Sequence, residues 1–393
     1  MSTLPKGFRI GTAAAAFRRP DRDDLGLILS DGDAVTAGVF TTNAFKAAPV
    51  QVCQERLAAS PVVRGILANS GQANACTGAE GLKNCRLALD MVGKAAGVAG
   101  RDLLPLSTGV IGPQLMLDRF ERATPQLVAS LGSRDEEAFT RAIMTTDAFP
   151  KFTSREIALS GGTVRLSGMA KGAGMICPNM ATMLAVVLCD AAVDATRWQR
   201  MFRHCVSSTF NRVTVDGDTS TNDTVLGLAN GGSGVTATES DMHLLARALS
   251  DVLGKMAYML VQDGEGATKV LHIQVAGAVN SAEAERIART VGHSQLVKTA
   301  MYGRDANWGR IVAAVGRSGA QVDPDRVRVS LCGVELFRNG QPLPGDHDAA
   351  TKNLLQKRDI TIEIDMGLGH GEYVLLASDL SHDYVTCNAD YRT

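Results

Sequence analysis

The sequence predicts a mixed α/β protein, on three observations. Stretches with apolar residues at helical spacing alternate along the chain with short strand-like runs. Hydrophobic residues make up 45% and charged residues 21% of the chain, a globular balance. At 393 residues the length exceeds what one core usually serves, so two or more substructures with extensive buried interiors are expected.

In chain order, strands are expected at Leu25 to Leu29 and at Val63 to Ala68. A helix follows on which Leu82, Cys85, Leu89, Val92 and Ala96 share one face. The segment EIALSGGTVRLSG alternates and reads as a hairpin turning at Gly161-Gly162, with Ile157 and Leu159 facing Val164 and Leu166. Met183 to Leu188 reads as a buried strand, and Asp194 as the cap of a helix carrying Trp198, Met201, Phe202 and Cys205. A longer helix is expected from Asp241 to Val261, with Leu245, Leu249, Val252 and Met256 on one side. Strands at Val270 to Val275, Val327 to Leu331, Ile360 to Ile364 and Tyr373 to Ala377 complete the pattern, and GAVNSAEA marks a boundary before the final third.

A formal net charge of -1 removes the electrostatic reason to expect a nucleic acid or an acidic membrane as partner, and small neutral or zwitterionic ligands fit better. The amino-terminal segment has no signal-peptide core, and the longest apolar stretch, near Ala181 to Cys189, is strand-sized, so a cytoplasmic location is expected. Eight cysteines occur without a C-x-x-C pair and seven histidines without metal spacing. Neither a disulfide framework, a zinc site nor a Ser-His-Asp set is signalled.

The most informative stretch is KGAGMICPNMATMLAVVLCD, from Lys171 to Asp190. Proline and asparagine interrupt regular structure just before an apolar run that opens at Thr182, which places this threonine at the mouth of a buried strand. A threonine there is ordinarily a good strand former and nothing more. The glycines beside Lys171 lack the G-x-x-x-x-G-K-[ST] order of a phosphate loop. A second stretch, FNRVTVDGDTSTNDTVLGLANG, gathers Asp216, Asp218 and Asp223 among hydroxyls. Three carboxylates can hold a hard cation, but no glutamate closes the loop, and a hydrogen-bonded turn network bracing a site is the favoured reading. STGVIG, IMTTDAFPK, VQDGEGATK, VKTAMYGRDANWGR and the final TCNADYRT have the polar, mostly glycine-bearing character of loops at the rim of a scaffold.

Together these segments, with the opening DLGLIL, AGVFTTN and AAPV, closely resemble the glutamate N-acetyltransferase (ornithine acetyltransferase) family of arginine biosynthesis, over nearly the whole chain and in the family order. Cys177 is a departure, standing where alanine is more often expected. The resemblance implies a layered sandwich of sheets and helices of the kind shared with self-processing aminopeptidases of the DmpA type, plus a smaller C-terminal α/β domain. It implies self-cleavage between Ala181 and Thr182, giving an α chain, 1–181, and a β chain, 182–393, whose C-terminal subdomain begins near 278. It implies that Thr182 is the nucleophile, that Thr108 and Gly109 form the oxyanion hole, and that Thr145, Lys171, Thr182, Glu265, Asn388 and Thr393 contact substrate. An α2β2 assembly and no resident cofactor follow from the same likeness, with acetyl-CoA open as a co-substrate.

A threonine hydroxyl is a poor nucleophile until a base takes its proton, and a free α-amine on the same residue, with a pKa of about 7.7 to 8.0, can serve. The expected cycle is ping-pong. Thr182 takes acetyl from N2-acetylornithine, and L-glutamate removes it. Lys171 is expected to fix a substrate carboxylate, while Glu265 has two open roles, holding an ammonium or shuttling a proton. Competing readings are an amidohydrolase or aminopeptidase using the same threonine, and a cation- or nucleotide-binding module built on DGDTSTND.

Overall fold

The computed structural model describes residues 4–17, 20–177 and 183–390, and it divides the chain into two compact units. The first is built from Met1–Asn211 and Asp218–Leu260, the second from Arg212–Gly217 and Val261–Tyr391.

In chain order the first stretch runs β1 (Phe8–Ala13), β2 (Leu25–Phe40), α1 (Ala48–Ala59), β3 (Val62–Asn69), α2 (Gly78–Ala96), β4 (Leu103–Ser107), α3 (Leu117–Ala129) and α4 (Glu136–Ile143). There follow β5 (Lys151–Leu159), β6 (Gly162–Lys171), β7 (Leu184–Cys189), α5 (Ala195–Ser208), the two-residue β8 (Val213–Thr214) that serves the second unit, β9 (Thr224–Ala229) and α6 (Met242–Gln262). The first sheet has the order β4-β3-β2-β9-β7-β6-β5, with β1 paired to β2 off this path. Its centre is parallel: Leu184 of β7 stands opposite Thr224 of β9, and the register holds to Cys189 opposite Ala229. Every residue of β7 and β9 is buried, as expected of strands covered on both faces.

Alternation in β2 sorts the core. Leu25, Leu27 and Leu29 pack with residues of α1, α2 and α3, whereas Ile28 joins the opposite cluster with Phe139 and Ile143 of α4. Asp135 caps α4 through the Ala138 N–H, and Asp194 caps α5 through the Arg197 N–H. The hairpin forms between β5 and β6, but its two-residue loop is Ser160-Gly161, so Leu159 pairs with Gly162 and Leu166 with Arg155, while Ile157 faces Val164. A loop of the same length placed one residue earlier sets the register differently from what the glycine pair suggests.

The second unit continues with β10 (Val270–Ala278), α7 (Ser281–Gly292), α8 (Gln295–Tyr302), α9 (Trp308–Gly316), β11 (Arg328–Leu331), β12 (Val334–Arg338), β13 (Gln341–Pro342), α10 (His347–Thr351), β14 (Asp359–Asp365), β15 (Gly371–Ser378) and α11 (His382–Asp390). Its sheet has the order β13-β12-β11-β14-β10-β15-β8. Residues 279–280, near the expected start of the last subdomain, join β10 to α7 inside this unit, where β10 pairs in parallel with β14 and antiparallel with β15. Among the described residues no helix is long and apolar enough to cross a membrane.

Candidate active site

Several strand ends of the first sheet contribute to one polar cluster. The Ser107 hydroxyl at the end of β4 donates to Asn69 Oδ1 at 2.7 Å, and the Thr108 N–H donates to the Asn69 carbonyl at 3.0 Å. From the loop before β9, Asn222 Nδ2 donates to the carbonyls of Ser107 at 2.9 Å and Ala73 at 2.6 Å. These bonds fix the backbone carrying Thr108 and Gly109. Gly109 has φ +129°, and a Cβ there would lie 2.3 Å from the Gly71 carbonyl carbon, so only glycine fits.

At the end of β6, the buried Lys171 Nζ donates to Thr145 Oγ1 at 2.8 Å and to Thr108 Oγ1 at 3.3 Å. The structure thus brings together four of the expected site residues, Thr108, Gly109, Thr145 and Lys171. Asp147 sits behind them with its side chain fully buried. Its Oδ1 accepts from Lys151 Nζ at 2.7 Å and from the Gly172 N–H at 2.6 Å, and its Oδ2 accepts from the Thr145 N–H at 3.0 Å and lies 3.8 Å from Lys171 Nζ. Burial alone would raise the Asp147 pKa, but the charges of Lys171 and Lys151, with hydrogen bonds from Lys151 and the Thr145 N–H, override it and hold this carboxylate well below its ordinary range. Two lysines against one firmly ionised carboxylate leave positive charge beside the Thr108 hydroxyl, an environment suited to an anionic group.

Ala181 and Thr182 lie outside the described residues, as does Thr393. The chain on either side of 178–182 is fastened to a single stretch, 219–224. Before it, Ile176 bridges Thr219, whose hydroxyl donates to the Cys177 carbonyl at 2.9 Å. After it, the Met183 N–H donates to Asp223 Oδ1 at 2.9 Å, and the Thr224 N–H to the Met183 carbonyl at 3.1 Å. This is the bracing network expected of the aspartate-rich loop. Asp223 is fully buried, Asp218 is exposed, and the described residues contain no cluster of His, Cys, Asp or Glu able to hold a metal. Burial raises the Asp223 pKa well above the usual carboxylate range, against the opposing pull of the Met183 N–H and Lys171. Its Oδ2 has no hydrogen-bond partner among the described residues.

Glu265 and Asn388 belong to the second unit, where Asn388 Nδ2 on α11 donates to Glu265 Oε2 at 2.9 Å. Sequence reasoning missed Asp147, Lys151 and Asn222 as parts of the site. A carboxylate four residues before a lysine inside the apolar-flanked TTDAFPK was the available signal for the first two, and nothing in it marks burial.

A family model described as the ArgJ family matches residues 9–393. A protein of Nitratidesulfovibrio vulgaris named arginine biosynthesis bifunctional protein ArgJ is 65% identical over 393 residues, covering 100% of both chains. One of the same name from Geobacter sulfurreducens is 46% identical over 391 residues and 99% of each chain. A crystal structure of the arginine biosynthesis bifunctional protein argJ from Bacillus halodurans aligns with 51% of this chain and 96% of that chain, at 36% identity and a TM-score of 0.49.

Proposed function

The chain belongs to the ArgJ family, and from this premise we propose that it is an acetyltransferase of arginine biosynthesis carrying acetyl from N2-acetylornithine to L-glutamate on Thr182. The observation that carries the reading is the buried meeting of Lys171 with Thr108 and Thr145, beside a glycine whose backbone no other residue could adopt.

The precursor cuts itself between Ala181 and Thr182, and the freed α-amine then serves as base for the Thr182 hydroxyl. Thr182 Oγ attacks the acetyl carbonyl, and the Thr108 hydroxyl and Gly109 N–H take the charge that builds on its oxygen. Ornithine leaves, an acetyl ester remains, and glutamate removes it. Lys171 holds a substrate carboxylate. Glu265, which accepts a hydrogen bond from Asn388, is assigned to substrate contact together with Asn388 and Thr393 on the family resemblance. The relatives' names carry the word bifunctional, and we assign acetyl-CoA as a second acetyl donor on that ground. The working form is a cytoplasmic α2β2 assembly of the cut chains, with no resident cofactor.

Intact-mass measurement after incubation with N2-acetylornithine alone tests this. Two fragments are expected, the one beginning at Thr182 heavier by one acetyl group that glutamate then discharges. A single uncut chain without adduct would sink the reading, and acetate release independent of glutamate would hand it to the amidohydrolase alternative.

A further inference from the structure

Two of the residues assigned to substrate contact, Glu265 and Asn388, sit on elements with little of their own to hold them. Asn388 is on α11, a nine-residue helix of which no residue is buried, so apolar packing gives it little anchorage. A helix that short is marginal in water when left to itself. Glu265 lies in the loop that joins α6 to β10. The two nevertheless meet: Asn388 Nδ2 donates to Glu265 Oε2 at 2.9 Å and to the Tyr384 carbonyl at 3.0 Å. A side chain that contacts substrate must be held to within about 0.5 Å, so this helix and this loop need a common fastening.

Ser381, the residue before α11, supplies it. Its buried hydroxyl donates to the Gly266 carbonyl at 2.6 Å and accepts from the Tyr384 N–H at 3.3 Å, in the manner of a helix cap. One oxygen thus joins the residue next to Glu265 to the first turn of the helix that carries Asn388. Gly266 has φ +67°, and a Cβ there would collide with the Tyr384 nitrogen, so the loop lies flush against the start of α11. Asp379, two residues before Ser381, accepts from the N–H groups of Thr268 and Lys269 at 2.8 and 3.0 Å and from the Thr268 hydroxyl, which closes the far side of the same loop.

We propose that Ser381 is a positioning residue for substrate binding, a role that rests on the reading of Glu265 and Asn388 as substrate contacts. By tying Gly266 to the start of α11 it holds Asn388, two turns further on, beside Glu265. Both of its hydrogen bonds are internal, so it acts through these two residues and not on the substrate itself. Without its hydroxyl the Gly266 carbonyl and the Tyr384 N–H lose their shared partner, and α11, which buries no residue, is free to shift against the loop.

The test measures initial rates of acetyl transfer by the full-length protein at varied N2-acetylornithine, with thermal melting alongside. Ser381→Ala is expected to raise KM by about 3–10-fold, the effect of one lost hydrogen bond, with kcat little changed. Its melting midpoint is expected to stay at the wild-type value, because α11 buries no residue. Ser381→Thr keeps the hydroxyl and is expected to restore KM. Adding Ser381→Ala to Asn388→Ala is expected to raise KM no further than Asn388→Ala alone, since the serine acts through that contact. A wild-type KM in Ser381→Ala overturns the proposal, as does a Ser381→Thr no better than Ser381→Ala, or a pair of effects that multiply in the double variant. Asn388→Ala separates the two levels: if it leaves KM unchanged, the substrate-contact reading itself fails, whereas if it raises KM while Ser381→Ala does not, only the positioning role falls.

Discussion

At Asp147 one buried carboxylate answers two buried lysines, Lys151 at 2.7 Å and Lys171 at 3.8 Å. Asp147→Asn leaves both without their counter-charge, and breaking buried pairs of this kind costs about 3–5 kcal/mol. Thermal or urea unfolding should show that loss, and an unchanged midpoint would remove Asp147 from the structural account. The sign with pH follows from the depressed pKa. The stabilisation is present above the ordinary carboxylate range and fades as pH falls below it toward the lower folded value, so the difference between wild type and Asp147→Asn should shrink on acidification. Thr108 works on the reaction instead. Thr108→Ala should lower kcat by about 10²–10³-fold with little change in KM, and a raised KM with intact kcat would reassign it to substrate binding. Thr108, Gly109, Thr145 and Lys171 were reached through the family resemblance of their segments, since no spacing within those segments carries chemistry by itself. Asp147 was not, because burial of a charge is a property of the packed neighbours and leaves no mark in local sequence.

Among the elements, two strand glycines let helices settle onto the first sheet. A Cβ at Gly227 of β9 would lie 2.3 Å from the Phe202 ring of α5, and one at Gly168 of β6 would lie 2.6 Å from Met256 and Val252 of α6. Trp198 of α5 adds an indole N–H bond to the Gly227 carbonyl at 2.9 Å. Gly227→Ala should therefore destabilise by about 1–3 kcal/mol through overpacking, and Phe202→Leu in the same chain should restore part of the loss in a melting experiment. If the two effects simply add, the close approach is not the cause. The helices α2, α5 and α6 were legible from their apolar periodicity and, for α5, the Asp194 cap. β9 was not: TVLGLA is buried at all six positions, so it lacks alternation, and its polar lead-in reads as one long loop.

For the whole molecule, length alone announced more than one substructure, yet the point of division was hidden. α6 runs from Met242 to Gln262 without a break, while the units part between Leu260 and Val261, inside that helix and six residues past its one glycine, Gly254. The order of the first sheet carries a further consequence. β9 and β7 come from after position 182 and are enclosed by β2 and β6 from before it, with six residue pairs along each seam. A nick at 181 thus frees neither piece, because parting them means tearing two rows of backbone hydrogen bonds from the middle of a buried sheet. Cut protein should pass through a sizing column as a single species and resolve into two only in denaturant. Halves made as separate genes should each expose a bare apolar strand edge and clump unless they are born together.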